Sequence, residues 1–311
     1  MDLPGRLGRR CCGGIGGLQI VPKKSKLMKL NWIVVSFLFL ASFTLHADER
    51  MELDAPTKAR CLEVLRAGFV SDEFWPSMHA AEGLTLGGYG AEVRERLASR
   101  LNAEKDDQRR CGLARELVRA GDTKKREVML DILRGEDDYG HVHAAESLYK
   151  VGGAAKAKPI RAAFAQSKNT NLQLMAAAAL GQAGDAEALA FLQKKMRRAK
   201  DPKVFTIVAW VLGRVGGKAD RSLIRSRLVD APDPIAKADL QHALAALGDR
   251  EGQMALTRNL ESDNPSIRVF AAVFSGDARM TSVKPQLIEL LEDETLDVRI
   301  RAAQSLLVLA R

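Results

Sequence analysis

From Thr170 to Asp201 the chain reads TNLQLMAAAALGQAGDAEALAFLQKKMRRAKD, and its apolar positions fall on two helical stripes separated by a break. Leu172, Leu174, Ala176, Ala177 and Leu180 mark a first helix that stops at Gly181 to Gly184. Asp185 then opens a second helix with Leu189, Phe191 and Leu192 inward. The pattern recurs about eight times. Its register residue is the small one that ends the alanine-rich helix: Gly88, Gly121, Gly152, Gly184, Gly216 and Gly248, and by extension Arg279 and Ala310. The spacings are 33, 31, 32, 32, 32, 31 and 31 residues. A period this steady predicts tandem helical hairpins. Leu84, Leu117, Leu148, Leu180, Leu212 and Leu244 each stand four residues before a register glycine. Ala80 with Ala81, Ala144 with Ala145, Ala176 with Ala177, Ala271 with Ala272 and Ala302 with Ala303 stand seven and eight before. Small side chains there let neighbouring helices approach while the leucines fill the layer between them. Asp122, Asp185 and Asp249 follow the glycine and suit an N-cap. One hairpin cannot bury its own apolar faces, so each is a layer of a stack. The predicted fold is an all-α, right-handed αα-superhelix of about eight hairpins.

The first 47 residues break this pattern and read as a leader. Lys29 precedes the apolar run LNWIVVSFLFLASFTL, Leu30 to Leu45, and His46, Ala47 and Asp48 follow. That order fits a secretory signal peptide cut near Ala47. The run is shorter than the roughly 20 residues that span a bilayer, so a membrane role is expected only if the segment stays uncleaved. Met28 makes a natural start, which leaves residues 1–27, with Cys11 and Cys12, as an upstream extension. The expected division is therefore a leader over 1–47 and a solenoid over 48–311, with a periplasmic or extracellular location.

The leader changes the meaning of the charge. The whole chain carries +9, but residues 1–47 hold seven Lys and Arg against one acidic residue, leaving 41 against 38 for the remainder. A mature charge of +3 does not call for a polyanionic partner, and no nucleic acid is expected. Aromatic residues are only 5% of the chain, which suits closely packed helices. Cys61 and Cys111 remain after the leader. An oxidising compartment permits their pairing, but their placement in different repeats works against it.

Two segments, LESDNPSIRVFAAVF from Leu260 and LEDETLDVRIRAAQSL from Leu291, resemble HEAT repeats, and AAALGQAGDAEALAFL resembles the shorter HEAT-like variety of phycobilisome lyases. The resemblance covers roughly residues 54 to 311. It implies that the first helix of each pair is convex and the second concave. It also implies an Asp in the turn and an Arg early in the second helix, forming a ladder between repeats. Asp263 with Arg268 and Asp293 with Arg299 match those positions. His141, Gln173 and Phe205 replace the Arg in middle repeats, so the ladder is expected to break there.

Helical geometry then selects the concave residues. Positions nine, six and two before the register residue share a stripe. They read His79, Glu82, Leu86; Gly112, Arg115, Arg119; His143, Glu146, Lys150; Met175, Ala178, Gln182; Ile207, Trp210, Arg214; Asp239, His242, Ala246; and Phe270, Val273, Asp277. The tetrad HAAE occurs twice, at His79 to Glu82 and His143 to Glu146. A His and a Glu three residues apart share a helix face and suit a ligand contact, a metal, acid–base work, or plain local hydrogen bonding. Packed helices are about 8–10 Å apart, which puts the two histidines too far apart for one ion. No metal site is expected.

Arg115 is placed to bridge Glu82 and Glu146, either as a structural charge ladder or, with Glu116 beside it, as a contact for a carboxylate or phosphate on the groove floor. Trp210 beside Arg214 is either a partner anchor or a packed tryptophan. The candidate groove is thus His79, Glu82, Arg115, Glu116, His143, Glu146, Trp210 and Arg214. The basic cluster Lys194 to Lys200 ends a convex helix and reads as a solvated face.

No HExxH, GxSxG, CxxC or phosphate-loop signature appears. The expected function is an exported, non-catalytic scaffold that binds a protein or other macromolecular partner in its groove, with no cofactor. Two rival classes stand beside it: a lyase- or hydroxylase-like enzyme of the HEAT-like class, and a nucleic-acid binder of the HEAT-like kind. The terminal repeat, ending in LLVLAR, is expected to expose an apolar edge, covered by a further domain, a partner, or a second copy in a homodimer.

Overall fold

The computed structural model describes residues 51–311. The leader, its cleavage near Ala47, the start at Met28 and Cys11 with Cys12 lie outside the described residues. The described residues lie in one compact unit. Among the described residues there are sixteen α-helices and no strand. None of these helices is long and apolar enough to cross a membrane.

The helices pair as outer and inner members of eight hairpins. These are α1 (Ala55–Phe69) with α2 (Phe74–Leu86), α3 (Gly90–Ala103) with α4 (Asp107–Arg119), α5 (Arg126–Arg134) with α6 (His141–Val151), and α7 (Lys158–Gln166) with α8 (Thr170–Gln182). They continue as α9 (Ala186–Arg198) with α10 (Pro202–Val215), α11 (Asp220–Arg225) with α12 (Pro234–Ala246), α13 (Arg250–Asn259) with α14 (Pro265–Asp277), and α15 (Lys284–Glu289) with α16 (Leu296–Leu309). The expected all-α HEAT-like solenoid is present.

Local chemistry sets the boundaries. Asp54, Asp106, Asn169, Asp201, Asp233 and Asn264 each cap a helix by accepting a backbone N–H in the first turn. Asp185 and Asp249 cap α9 and α13 as expected. Asp122 makes no side-chain cap, because a 3-10 turn over Thr123–Lys125 comes between it and α5. The register position needs a left-handed backbone in most repeats: φ is 101° at Gly88, 106° at Gly121, 83° at Gly184, 76° at Gly248 and 54° at Arg279. Gly216 departs, with φ −81°. There the buried Asp220 carboxylate accepts from the Gly217 N–H at 2.9 Å and shapes a different turn.

The alanine pairs and the leucine series are buried, as the periodicity predicts. Each inner helix packs on the next, from α2 through α14 to α16, and α16 then packs on α2. The outer helix α1 sits between α16 and α2, as α3 sits between α2 and α4. The superhelix therefore closes into a ring of eight hairpins within one turn.

This corrects the expected exposed edge. Leu306, Leu307 and Leu309 are buried, and Gly68 of α1 lies so close to Ile300 of α16 that an added Cβ would stand 2.6 Å from Ile300 Cδ1. The Met51 N–H donates to the Leu309 carbonyl at 3.2 Å, and Arg60 forms a two-pronged ion pair with Glu292 at 2.7 and 2.8 Å. The apolar end of the last repeat finds its cap in the first, so a homodimer through that end loses its basis.

The ladder is present at Arg268, which binds Asp293 of the next repeat at 2.7 and 3.0 Å. Where the Arg is replaced, other groups satisfy the loop carbonyls. His141 Nε2 meets the Gly135 carbonyl at 3.0 Å, and the Gln173 amide donates to the Phe164 carbonyl at 3.0 Å. At Phe205, Arg227 lies over the ring and donates to the Ala199 carbonyl at 2.7 Å. Cys61 and Cys111 are free and buried, on α1 and α4.

Candidate functional site

The inner helices surround a central cavity of about 820 Å³. It reaches from Asn171 and Ser266 in the first turns of α8 and α14 to Gln182 and Val215 at the ends of α8 and α10. Most of the predicted stripe lines it, including His79, Glu82, Arg119, Glu146, Lys150, Met175, Ile207, Trp210, Arg214, Asp239, Phe270 and Asp277. What was expected as an open groove is a walled cavity, because the ring closes.

One side of the cavity is a charge network. Glu82 lies between Arg119 at 3.0 Å and Arg301 at 2.9 Å. Burial alone would push the Glu82 carboxyl up, but the two guanidiniums outweigh it and hold it well below the usual carboxylate range. His79 Nδ1 lies 2.7 Å from Asp297 Oδ1. Burial and the nearby Arg301 pull the imidazole down to about 4 against the pull of Asp297. At neutral pH His79 is therefore uncharged and donates its Nδ1 proton to Asp297.

Lys150 binds Glu146 at 2.7 Å. Burial opposes the charge of Glu146, yet Lys150 and then Arg115 bring its carboxyl down to about 2.

The other side is apolar and aromatic. Trp210 meets Tyr149 edge-on at 5.5 Å, with Lys150 Nζ 5.5 Å and Arg214 4.6 Å from its ring centre. Arg214 also lies 4.1 Å over Phe274 and binds Asp277 at 2.5 Å. Trp210 is thus half-buried, packed between two cations and a tyrosine while still facing the cavity.

Three of the eight candidate residues sit elsewhere. Arg115 and Glu116 are buried behind the wall, paired at 2.6 Å, and Glu116 also holds Arg119. Arg115 pairs directly with Glu116 rather than with either tetrad glutamate, although its charge still helps to lower the carboxyls of both Glu82 and Glu146. His143 lies outside the cavity lining, stacked on Trp75 with ring centres 5.5 Å apart. Gly112 of the intervening α4 makes room for this stack, since a Cβ there would stand 3.1 Å from Phe74 and 3.3 Å from Trp75. His242 of the stripe is a core histidine, fully buried against Phe274 and bonded to Asn259 at 3.0 Å.

Sequence reasoning missed Asp297, Arg301 and Gln304. The signal was present: nine and six residues before Ala310 stand Arg301 and Gln304, but the stripe was not carried into the last repeat. Among the described residues no group of three or more His, Cys, Asp or Glu side chains is arranged to hold a metal ion.

Residues 157–245, from the start of α7 to the last turn of α12, match the family described as HEAT repeats. No curated protein sequence matches it. Among solved structures, human deoxyhypusine hydroxylase in complex with glycerol is 14% identical, covering 82% of this chain and 97% of that chain, with a TM-score of 0.38. The Escherichia coli protein YibA is 16% identical, also over 82% of this chain and 97% of that one, with a TM-score of 0.34.

Proposed function

We propose that this protein is an exported, non-catalytic repeat scaffold that binds its ligand in the central cavity of the ring, with the middle hairpins of the short phycobilisome-lyase-like kind. One observation carries the reading: a single series of inner-helix positions converges on a cavity of about 820 Å³ with charged and aromatic walls. That volume lies within the roughly 300–1,000 Å³ typical of small-molecule sites. A folded partner does not fit inside such a ring, so a macromolecular partner would offer a chain end or an extended segment. His79, Glu82, Glu146, Trp210 and Arg214 are the contact candidates that remain.

The nucleic-acid reading is disfavoured by charge. The loops that lead into the inner helices carry fifteen acidic residues against four basic ones, which repels a polyanion. A catalytic reading keeps some support from the displaced pKa values of His79, Lys150 and Asp239 in one cavity.

The test is mass spectrometry of the protein purified from its own cells, first under native and then under denaturing conditions. A stoichiometric small molecule or peptide released on unfolding supports the cavity reading. A ligand-free ring, together with crosslinks confined to the outer helices, overturns it. The N-terminal residue of the same sample checks export, with Asp48 or a close neighbour expected.

A further inference from the structure

We propose that the cavity takes an organic cation with an apolar body and that Asp239 is its counter-ion; this rests on the cavity reading above. The argument is one of unpaired charge. Every cation lining the cavity already has a carboxylate: Arg119 and Arg301 share Glu82, Lys150 has Glu146, and Arg214 has Asp277. Asp297 is engaged by His79. Asp239 alone among the lining carboxylates has neither a hydrogen bond nor an ion pair.

Its surroundings favour an amphipathic visitor. Ile207 and Phe270 occupy the same register position in the flanking repeats and line the cavity together with Asp239, as does Trp210 three residues after Ile207. Burial, with a smaller push from Asp233, raises the Asp239 carboxyl to about 7. A ligand ammonium group would reverse that cost, and the ligand's apolar part would cover Phe270, which is 38% exposed.

An anion would find no unpaired cation in the cavity. The buried Tyr149 hydroxyl and Arg301 Nε are without a partner, but the Arg301 guanidinium is already neutralised by Glu82 through its Nη1, and Arg214, the cation that acts on Tyr149, is paired with Asp277. The acidic loops at the starts of the inner helices attract a cation from solution as well.

The experiment compares three probes with one body and different heads, hexylammonium, 1-hexanol and hexanoate, by NMR titration of the full mature chain at neutral pH. Hexylammonium should bind at least about tenfold more tightly than the other two, as a partly desolvated ion pair warrants. In Asp239→Asn that preference should vanish while hexanol binding is unchanged, with circular dichroism melting confirming the fold. Equal affinities for all three probes, a preference for hexanoate, or a cation preference that survives Asp239→Asn would overturn the assignment of Asp239 while leaving the cavity reading intact. Failure of all three to bind would instead overturn the cavity reading. If the variant does not fold, the ranking of probes on the unmodified chain still decides.

Discussion

Glu82 shows how much of the site depends on one side chain. It is a largely buried carboxylate, its side chain 17% exposed to the cavity, held by Arg119 from one neighbouring repeat and Arg301 from the other, across 219 positions of sequence in the second case. Removing one partner of such a buried pair leaves uncompensated charge, typically at a cost of about 3–5 kcal/mol. Glu82→Leu should therefore lower the urea midpoint substantially, with Arg119 and Arg301 left facing each other.

Glu146 yields a prediction with a sign. Its folded pKa of about 2 lies below the ordinary glutamate value, so the stabilisation it provides is complete above about pH 4.3. That stabilisation is lost as the pH falls from there toward about 2. Glu146→Gln should flatten the stability profile in that window and lower stability near pH 7, where the stabilisation is fully present. At this scale the stripe was legible because helix periodicity is local, whereas the burial of Arg115 and Glu116 was not. Arg115 belongs to the stripe in projection while Glu116 stands about 100° from it, and only the neighbouring helices decide that both are buried.

At the scale of the element, the hairpin is written in its turns. An added Cβ at Gly184 would meet nothing within 4 Å, so the cost of Gly184→Ala comes from its φ of 83° alone. It should be about 1–2 kcal/mol in a thermal or urea melt. Gly217, equally open but outside the left-handed region, provides the control, and Gly217→Ala should change stability by less than about 1 kcal/mol. The broken ladder was also legible, since Arg268 lies where the repeat pattern puts it. The replacement of the missing guanidinium by Arg227 was not, because Arg227 comes from the following hairpin and reaches back to Phe205 and Ala199. Element boundaries followed caps and glycines, and Asp122 was the exception where a 3-10 turn intervened.

The whole molecule is defined by its closure. The seam buries Ile300, Leu306 and Leu307 of α16 against α1 and α2 and adds the Arg60 pair with Glu292. A chain beginning at Ser71, without α1, would uncover that apolar surface. It should associate or precipitate in gel filtration with light scattering, while the chain from Asp48 runs as a monomer. A monomeric truncated chain of unchanged stability would mean that the seam contributes little to the fold.

The sequence by itself determined the hairpins, their period, their register and the side of each inner helix that turns to the centre, because these depend on contacts within a helix or one turn away. Only the tertiary structure decided that the eighth hairpin meets the first. Closure depends on the small rotation between successive layers summed over eight of them, and no single residue carries that sum. The same rotation turned an open groove into a walled cavity, capped the LLVLAR end with α1, and brought Asp297 and Arg301 to His79 and Glu82.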